Sequence, residues 1–144
     1  MKYIIPVLIS TILFTTIAHS GSFKSSYGYN SRSHVIASVE IIDKGIYNLV
    51  VSVNFSNRPR TTKAYKKDIY EPLIERLQIE WPGIAMKIIL KSNSYKVSDF
   101  SALEDEISLA IDDLIKITKP IYGVSEDTEV IYSISSFYLG AIDS

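Results

Sequence analysis

The sequence predicts an α/β (α+β) fold, a two-layer sandwich in which two helices cover one face of a mixed four-stranded sheet in the order β-β-α-β-α-β. Two early stretches alternate apolar and polar residues, which is typical of half-buried strands. Two later stretches repeat apolar residues every three or four positions, which is typical of helices with one apolar face. Because each predicted strand has one largely polar face, both helices should cover the same side of the sheet.

The first two strands form a predicted β-hairpin, residues 34–42 and 47–55. The turn between them contains Gly45, which can adopt the positive φ that tight turns require. The apolar face of the hairpin consists of Val35, Ala37, Val39, Ile41, Tyr47, Leu49, Val51, Val53 and Phe55.

Residues 61–80 predict the first helix, since Tyr65, Ile69, Leu73 and Leu77 follow one another at a spacing of four. Proline is tolerated in the first turn of a helix but costs about 3 kcal/mol in its interior. Asp68 and Glu71 resemble a capping box just before Pro72, so the regular helix should begin near Tyr70. The run Trp81-Pro82-Gly83 then predicts a firm stop.

Three elements follow. Residues 84–91 predict a strand whose alternation directs Lys87 and Lys91 outward. A helix should begin at Ser101 and end before Pro120, and residues 128–139 predict the last strand. The apolar stripe of this second helix is Phe100, Leu103, Ile107, Ala110, Leu114 and Ile117.

The first 20 residues resemble an export signal. Lys2 provides a positive start, residues 3–17 are mostly apolar, and Ala18 and Ser20 place small residues before a cut at Gly21. A retained membrane anchor is the alternative, but polar residues interrupt the run, and a spanning helix needs about 20 apolar residues. Residues 21–33 predict a flexible segment, and residues 34–144 a single α/β domain without disulfides, since the chain lacks cysteine.

The net charge of −1 conceals a split along the chain. Residues 21–98 carry 12 basic and 6 acidic side chains, whereas residues 99–144 carry 2 and 10. Such asymmetry can steer association with an oppositely charged partner or a second copy. The alternative is that the two halves neutralise each other within one domain.

The segment Ser56–Asp68, "SNRPRTTKAYKKD", is the strongest candidate for binding an anion. Clustered lysine and arginine with neighbouring aromatic rings favours nucleic acid, lipid headgroups or acidic surfaces. A solvated loop leading into a helix is the alternative interpretation. The candidate binding residues are Arg58, Arg60, Lys63, Tyr65, Lys66 and Lys67, extended across the sheet by Lys87 and Lys91.

Catalytic patterns are sparse. After signal cleavage only His34 remains, which is too few for a histidine pair, and no phosphate-binding glycine motif is present. Asp105 and Asp112 share a helix face and are weak candidates for a metal site, although a solvated helix face explains them as well. No cofactor or metal is therefore expected.

These patterns favour an exported protein, periplasmic or secreted, that acts by protein contact without catalysis. It would be an accessory or assembly component of a bacterial envelope or secreted structure. A protein partner is expected, with self-association through opposite charge and contact with a membrane surface as further options; nucleic acid fits an exported protein poorly. Two alternatives remain: a small carboxylate- or metal-dependent hydrolase, and a module that binds anionic lipid or glycan.

Overall fold

The structure, a computed structural model, describes residues 33–141. Four strands and two helices follow the predicted order β-β-α-β-α-β, so the predicted fold class is confirmed. The elements are β1 (Ser33–Ile41), β2 (Gly45–Phe55), α1 (Lys67–Ile89), β3 (Ser94–Tyr95), α2 (Phe100–Thr118) and β4 (Tyr132–Ala141). The predicted signal peptide (1–20) and the predicted flexible segment up to residue 32 lie outside the described residues, and Ser33 itself opens β1.

The strands form one mixed sheet in the order β3-β1-β2-β4. β1 and β4 each run antiparallel to β2, while β3 runs parallel to β1. The β3 pairing is short and involves only Glu40 and Ile41 of β1. Among the described strands, β4 therefore forms one edge of the sheet, and the other edge consists of β3 beside Glu40 and Ile41 and of β1 along residues 33–39.

The predicted hairpin is confirmed. Asp43 and Gly45 in its turn have positive φ values of 64° and 97°. Glycine adopts this conformation without steric penalty, as the prediction for Gly45 requires. Every predicted inward residue is buried except Tyr47, which packs half-buried against the core. Period-two alternation thus identified the core face of both strands.

Both helices cover the same face of the sheet. α1 packs on β1 and on α2. α2 lies over β4, where the Phe100 and Phe137 ring centroids are 6.2 Å apart and the Tyr132 hydroxyl lies 3.1 Å from the Ser108 carbonyl oxygen. One contiguous apolar core results, and its largest fully buried side chains are Trp81, Tyr70 and Phe55.

The predicted end of the first helix is wrong. α1 begins at Lys67 without a side-chain cap, so the expected capping box at Asp68 is absent, and it continues through Pro82 and Gly83 to Ile89. The predicted strand at residues 84–91 is therefore helical over most of its length. Only the two residues of β3 provide the third strand.

Burial explains why α1 does not stop at Pro82. An interior proline costs about 3 kcal/mol. Beyond it, Ala85, Ile88 and Ile89 are buried, and Trp81 just before it is fully buried. Burying one large apolar side chain contributes about 1.5–3 kcal/mol, so this group outweighs the proline penalty. The same residues also fit a strand pattern, which is why alternation at positions 84, 86, 88 and 90 misled the prediction.

Replacing Gly83 by alanine should raise the free energy of unfolding by about 0.5–1 kcal/mol. Gly83 lies inside α1, and a Cβ added there has no heavy atom within 4 Å. Urea denaturation followed by circular dichroism measures the effect. Gly45→Ala is the matched control and should destabilise the fold, because Gly45 has φ of 97°. A loss of stability in Gly83→Ala would contradict the continuous helix.

The last strand also differs from its prediction. It spans Tyr132–Ala141 and contains an irregularity opposite Ser52 and Val53, which face Ser136 and Ile134. Ser135 is therefore the extra residue of a β-bulge. The bulge shifts the alternation by one position, so Phe137 and Leu139 join Ile134 in packing against the core.

Candidate interaction surfaces

The predicted basic segment links the end of β2 to the start of α1. It lies against the loop before β4, where the Arg60 backbone amide donates to the Glu129 carbonyl oxygen at 2.9 Å and the Glu129 amide donates to the Arg60 carbonyl oxygen at 2.7 Å. This isolated antiparallel bridge holds the segment beside an acidic stretch 69 residues later in the chain. The positive and negative halves of the sequence therefore meet within one fold.

Ion pairs partly neutralise this junction. Arg60 lies 3.2 Å from Glu129, Lys63 lies 3.8 Å from Asp127, and Lys67 lies 3.2 Å from Glu71 on α1. A hydrogen bond from Ser125, together with the Lys63 ammonium, holds the pKa of Asp127 below its usual value. The pairs are solvent-exposed, so water and salt screen them and they stabilise the junction little.

The remaining residues of the segment are more open. Arg58 and Lys66 form no ion pair within the described residues. Tyr65 is 41% exposed and its ring meets Tyr70 edge-on, with centroids 5.6 Å apart. A cavity of about 210 Å³ lies between this segment and the loop after α2, and its lining includes Asp127 as well as the lysines. The carboxylate gives the cavity mixed charge.

The predicted extension of the basic patch across the sheet is wrong. Lys87 lies in the last turn of α1, and Lys91 follows the end of that helix. Lys91 forms an ion pair with Glu106 of α2. Neither lysine lies on the sheet, because residues 84–89 are helical rather than extended.

The metal candidates Asp105 and Asp112 are both exposed on α2. Within the described residues no group of three or more His, Asp or Glu side chains is placed to hold a metal ion. Asp112 instead accepts a hydrogen bond from the Tyr132 hydroxyl at 2.9 Å. Burial, reinforced by this carboxylate, raises the pKa of Tyr132 to about 12.

The sheet face opposite the helices forms the first candidate surface. The predicted polar residues Ser38, Glu40, Asn48, Ser52, Asn54, Ser133 and Ser135 are at outward strand positions, and the Ser38 hydroxyl lies 3.0 Å from Asn48 Oδ1. Between the polar rows runs an apolar row, in which Ile36 faces Val50 and Val50 faces Tyr138. Ile36 is 39% and Tyr138 56% exposed. We call this row the outer apolar row.

Sequence reasoning missed the outer apolar row, although alternation contained the signal. Ile36 and Val50 stand at outward positions of the predicted hairpin. Tyr138 needed the bulge at Ser135 to reach the outer face, since unbroken alternation from Val130 directs it inward. Only the strand pairing brings these three side chains into line.

The second candidate surface is the outer edge of β4, which pairs with no other described strand and is called the free edge of β4 below. This strand is 10 residues long and carries neither a charged side chain nor a proline. Its inward side chains are less covered than those of β1 and β2: Tyr132, Ile134, Phe137 and Leu139 are only half-buried. The sheet therefore ends in an apolar, uncharged edge.

Within the described residues, no helix has the length and apolar character needed to cross a bilayer. Comparison with known proteins finds no matching family model, no similar curated protein and no similar solved structure. The surfaces of the chain itself are therefore the basis for its function.

Proposed function

We propose that the protein is an exported, non-enzymatic interaction domain, an accessory or assembly component of a bacterial envelope or secreted structure. Export is supported by the N-terminal pattern of Lys2, an apolar stretch and small residues before Gly21. Interaction is supported by the outer apolar row on a sheet face that neither helix covers. This exposed row is the observation that carries the proposal.

The outer apolar row has the composition of a contact surface. Apolar and aromatic side chains at its centre provide the area whose burial favours association, and tyrosine is enriched at such interfaces. Serine and asparagine rows on either side provide a polar rim. Antiparallel sheets often leave one face in water, but that face is then normally polar throughout, which this one is not.

Site-specific photo-crosslinking in cells that make the protein tests the proposal. A benzoylphenylalanine residue at Tyr138 or at Ile36 should yield discrete adducts with a partner protein. Mass spectrometry of the exported protein should find a chain that begins at Gly21, as the cleavage pattern predicts.

Ile79 and Leu109, which are 72% and 66% exposed on the two helices, are the matched control positions. They should give few adducts because they lie on the opposite layer. Adducts that are equally frequent at all four positions, or a chain that keeps its first 20 residues in the cytoplasm, would overturn the proposal.

A further inference from the structure

Among residues 33–141, nothing gives the free edge of β4 the protection that edge strands usually have. Exposed edges are normally short, charged or interrupted by proline, because their unpaired backbone groups attract another strand. The opposite edge is short where β3 pairs with Glu40 and Ile41, and the rest of β1 (residues 33–39) is exposed at that edge among the described strands. β4 has ten residues, with one bulge and no charge. Alternate backbone amides and carbonyls of β4 point away from β2 and are available for pairing.

A negative row on α2 flanks this edge. Ser108 and Asp112 contact Tyr132, so their side of the helix lies over β4. Residues three, four or seven positions away share a helix face, which places Glu104 and Asp105 on the same side. We call Glu104, Asp105 and Asp112 the acidic row. None of the three forms an ion pair within the described residues, whereas Glu106 on another side pairs with Lys91.

A depression of about 580 Å³ lies where the acidic row meets the start of β4. Its lining combines apolar side chains with three carboxylates and two lysines, namely Asp112, Glu126, Glu129, Lys116 and Lys119. It is large enough for an anchoring side chain of a bound segment. The edge thus offers backbone pairing, apolar surface and negative charge side by side.

A second copy of the chain fits this edge poorly. Two β4 strands paired about a two-fold axis would place the same patch of each chain against the other. The two acidic rows would then face each other, and like charges repel. Charge complementarity favours a basic occupant instead.

We infer that the edge of β4 binds an extended segment of a partner protein that carries lysine or arginine at alternate positions. The segment adds a strand beside β4 by backbone hydrogen bonds. Its basic side chains pass under α2, with their aliphatic stems on Phe137 and Leu139 and their charged ends at the acidic row. This inference deepens the proposed function and rests on it, since it gives the chemistry of the partner.

The probe is a synthetic peptide of alternating valine and lysine, as long as β4, with an alternating valine–glutamate peptide for comparison. Fluorescence anisotropy should show the lysine peptide binding at least about tenfold more tightly, with affinity that falls as salt rises.

Amide chemical shifts should change along residues 132–141. Of two lysine peptides methylated on alternate backbone nitrogens, one should lose binding and the other should retain it, because only one edge of the peptide pairs.

Charge reversal tests the acidic row. Glu104→Lys with Asp105→Lys should weaken binding of the lysine peptide about tenfold. Asp68→Lys with Glu75→Lys changes the net charge equally on α1, which packs over β1, and should change affinity far less. Circular dichroism of both variants verifies that the fold is intact.

Several results would overturn the inference: equal binding of both peptides, no binding of either, shifts confined to the exposed part of β1, or a dimer that forms through β4. If the lysine peptide fails while Tyr138 still crosslinks a partner in cells, the edge assignment is wrong and the proposed function stands. Loss of those crosslinks with retained peptide binding would count against the function and leave the edge site in place.

Discussion

Replacing Trp81 by alanine should lower the free energy of unfolding by about 3–5 kcal/mol, the range for truncating a buried tryptophan. Trp81 is 0% exposed and is the only tryptophan in the chain. Its indole fills the core where α1 passes through Pro82, so its loss leaves a cavity and weakens the burial that keeps the helix continuous. A domain of this size is stable by only about 5–15 kcal/mol, so this loss is a large share of the total.

Urea denaturation followed by far-UV circular dichroism suits this measurement, since the variant lacks the tryptophan needed for fluorescence. Ile79→Ala is the matched control, two positions earlier on the same helix and 72% exposed. It should change stability by less than about 0.5 kcal/mol. Similar losses in the two variants would show that Trp81 is not in the core.

Raising the pH above 10 should destabilise the fold through Tyr70 and Tyr132. Burial raises the pKa of each to about 12, with the nearby Tyr65 contributing at Tyr70 and Asp112 at Tyr132. In the unfolded chain the phenols ionise near 10, so between pH 10 and 12 the folded state binds more protons. The stabilisation is complete below pH 10 and is lost as the pH rises through the folded pKa.

For Tyr70, which is 1% exposed and donates to the Ser56 carbonyl at 3.1 Å, the loss should reach about 2 kcal/mol. Tyr132 is half-exposed, so its share is smaller. Urea midpoints at about pH 9 and about pH 11 measure how steeply the stability of the fold falls with pH, and this is the slope that the variants should change. Tyr70→Phe and Tyr132→Phe should each flatten it, whereas Ile79→Ala, which removes an exposed side chain with no ionisable group, should not. An unchanged slope in the first two variants would contradict the assignment.

The parts of the fold that local pattern determines were predictable. Alternation identified the core face of β1 and β2, and Gly45 marked their turn. The helical spacing of α2 was equally clear, because spacings of three and four over a long run fit only a helix. The predicted stripe was wrong at its end, since Ile117 is 65% exposed and Ile111 and Ile115 are buried instead. These signals depend on residues close together in the chain, so no knowledge of distant partners was needed.

The segment after Trp81 was not predictable in the same way. A proline and a glycine at positions 82 and 83 are the usual end of a helix, and the apolar residues that follow fit either a strand or a helix. The segment is helical because Trp81, Ala85 and Ile89 share a buried face, and that burial depends on the sheet beneath them. Because this segment was predicted as a strand, Lys87 and Lys91 were also assigned to the wrong surface.

The candidate surfaces were likewise predictable only where their residues are close together in the chain. The basic segment was found from the sequence because its charges are contiguous, but its partners Glu129 and Asp127 lie more than 60 residues away. The outer apolar row and the acidic row also combine residues from distant elements. Pairing register and the bulge at Ser135 place them together, and neither follows from local pattern.

By itself, the sequence determined the α/β class, the hairpin, the second helix and the split of charge. Each of these depends on residue spacing or composition within one continuous segment of the chain. Only the tertiary structure decided that α1 passes through Pro82, that the charged halves partly neutralise each other, and that β4 is an exposed, uncharged edge beside an acidic row. The physical reason is that burial and ion pairing depend on which surfaces meet, and those surfaces come from residues far apart in the chain.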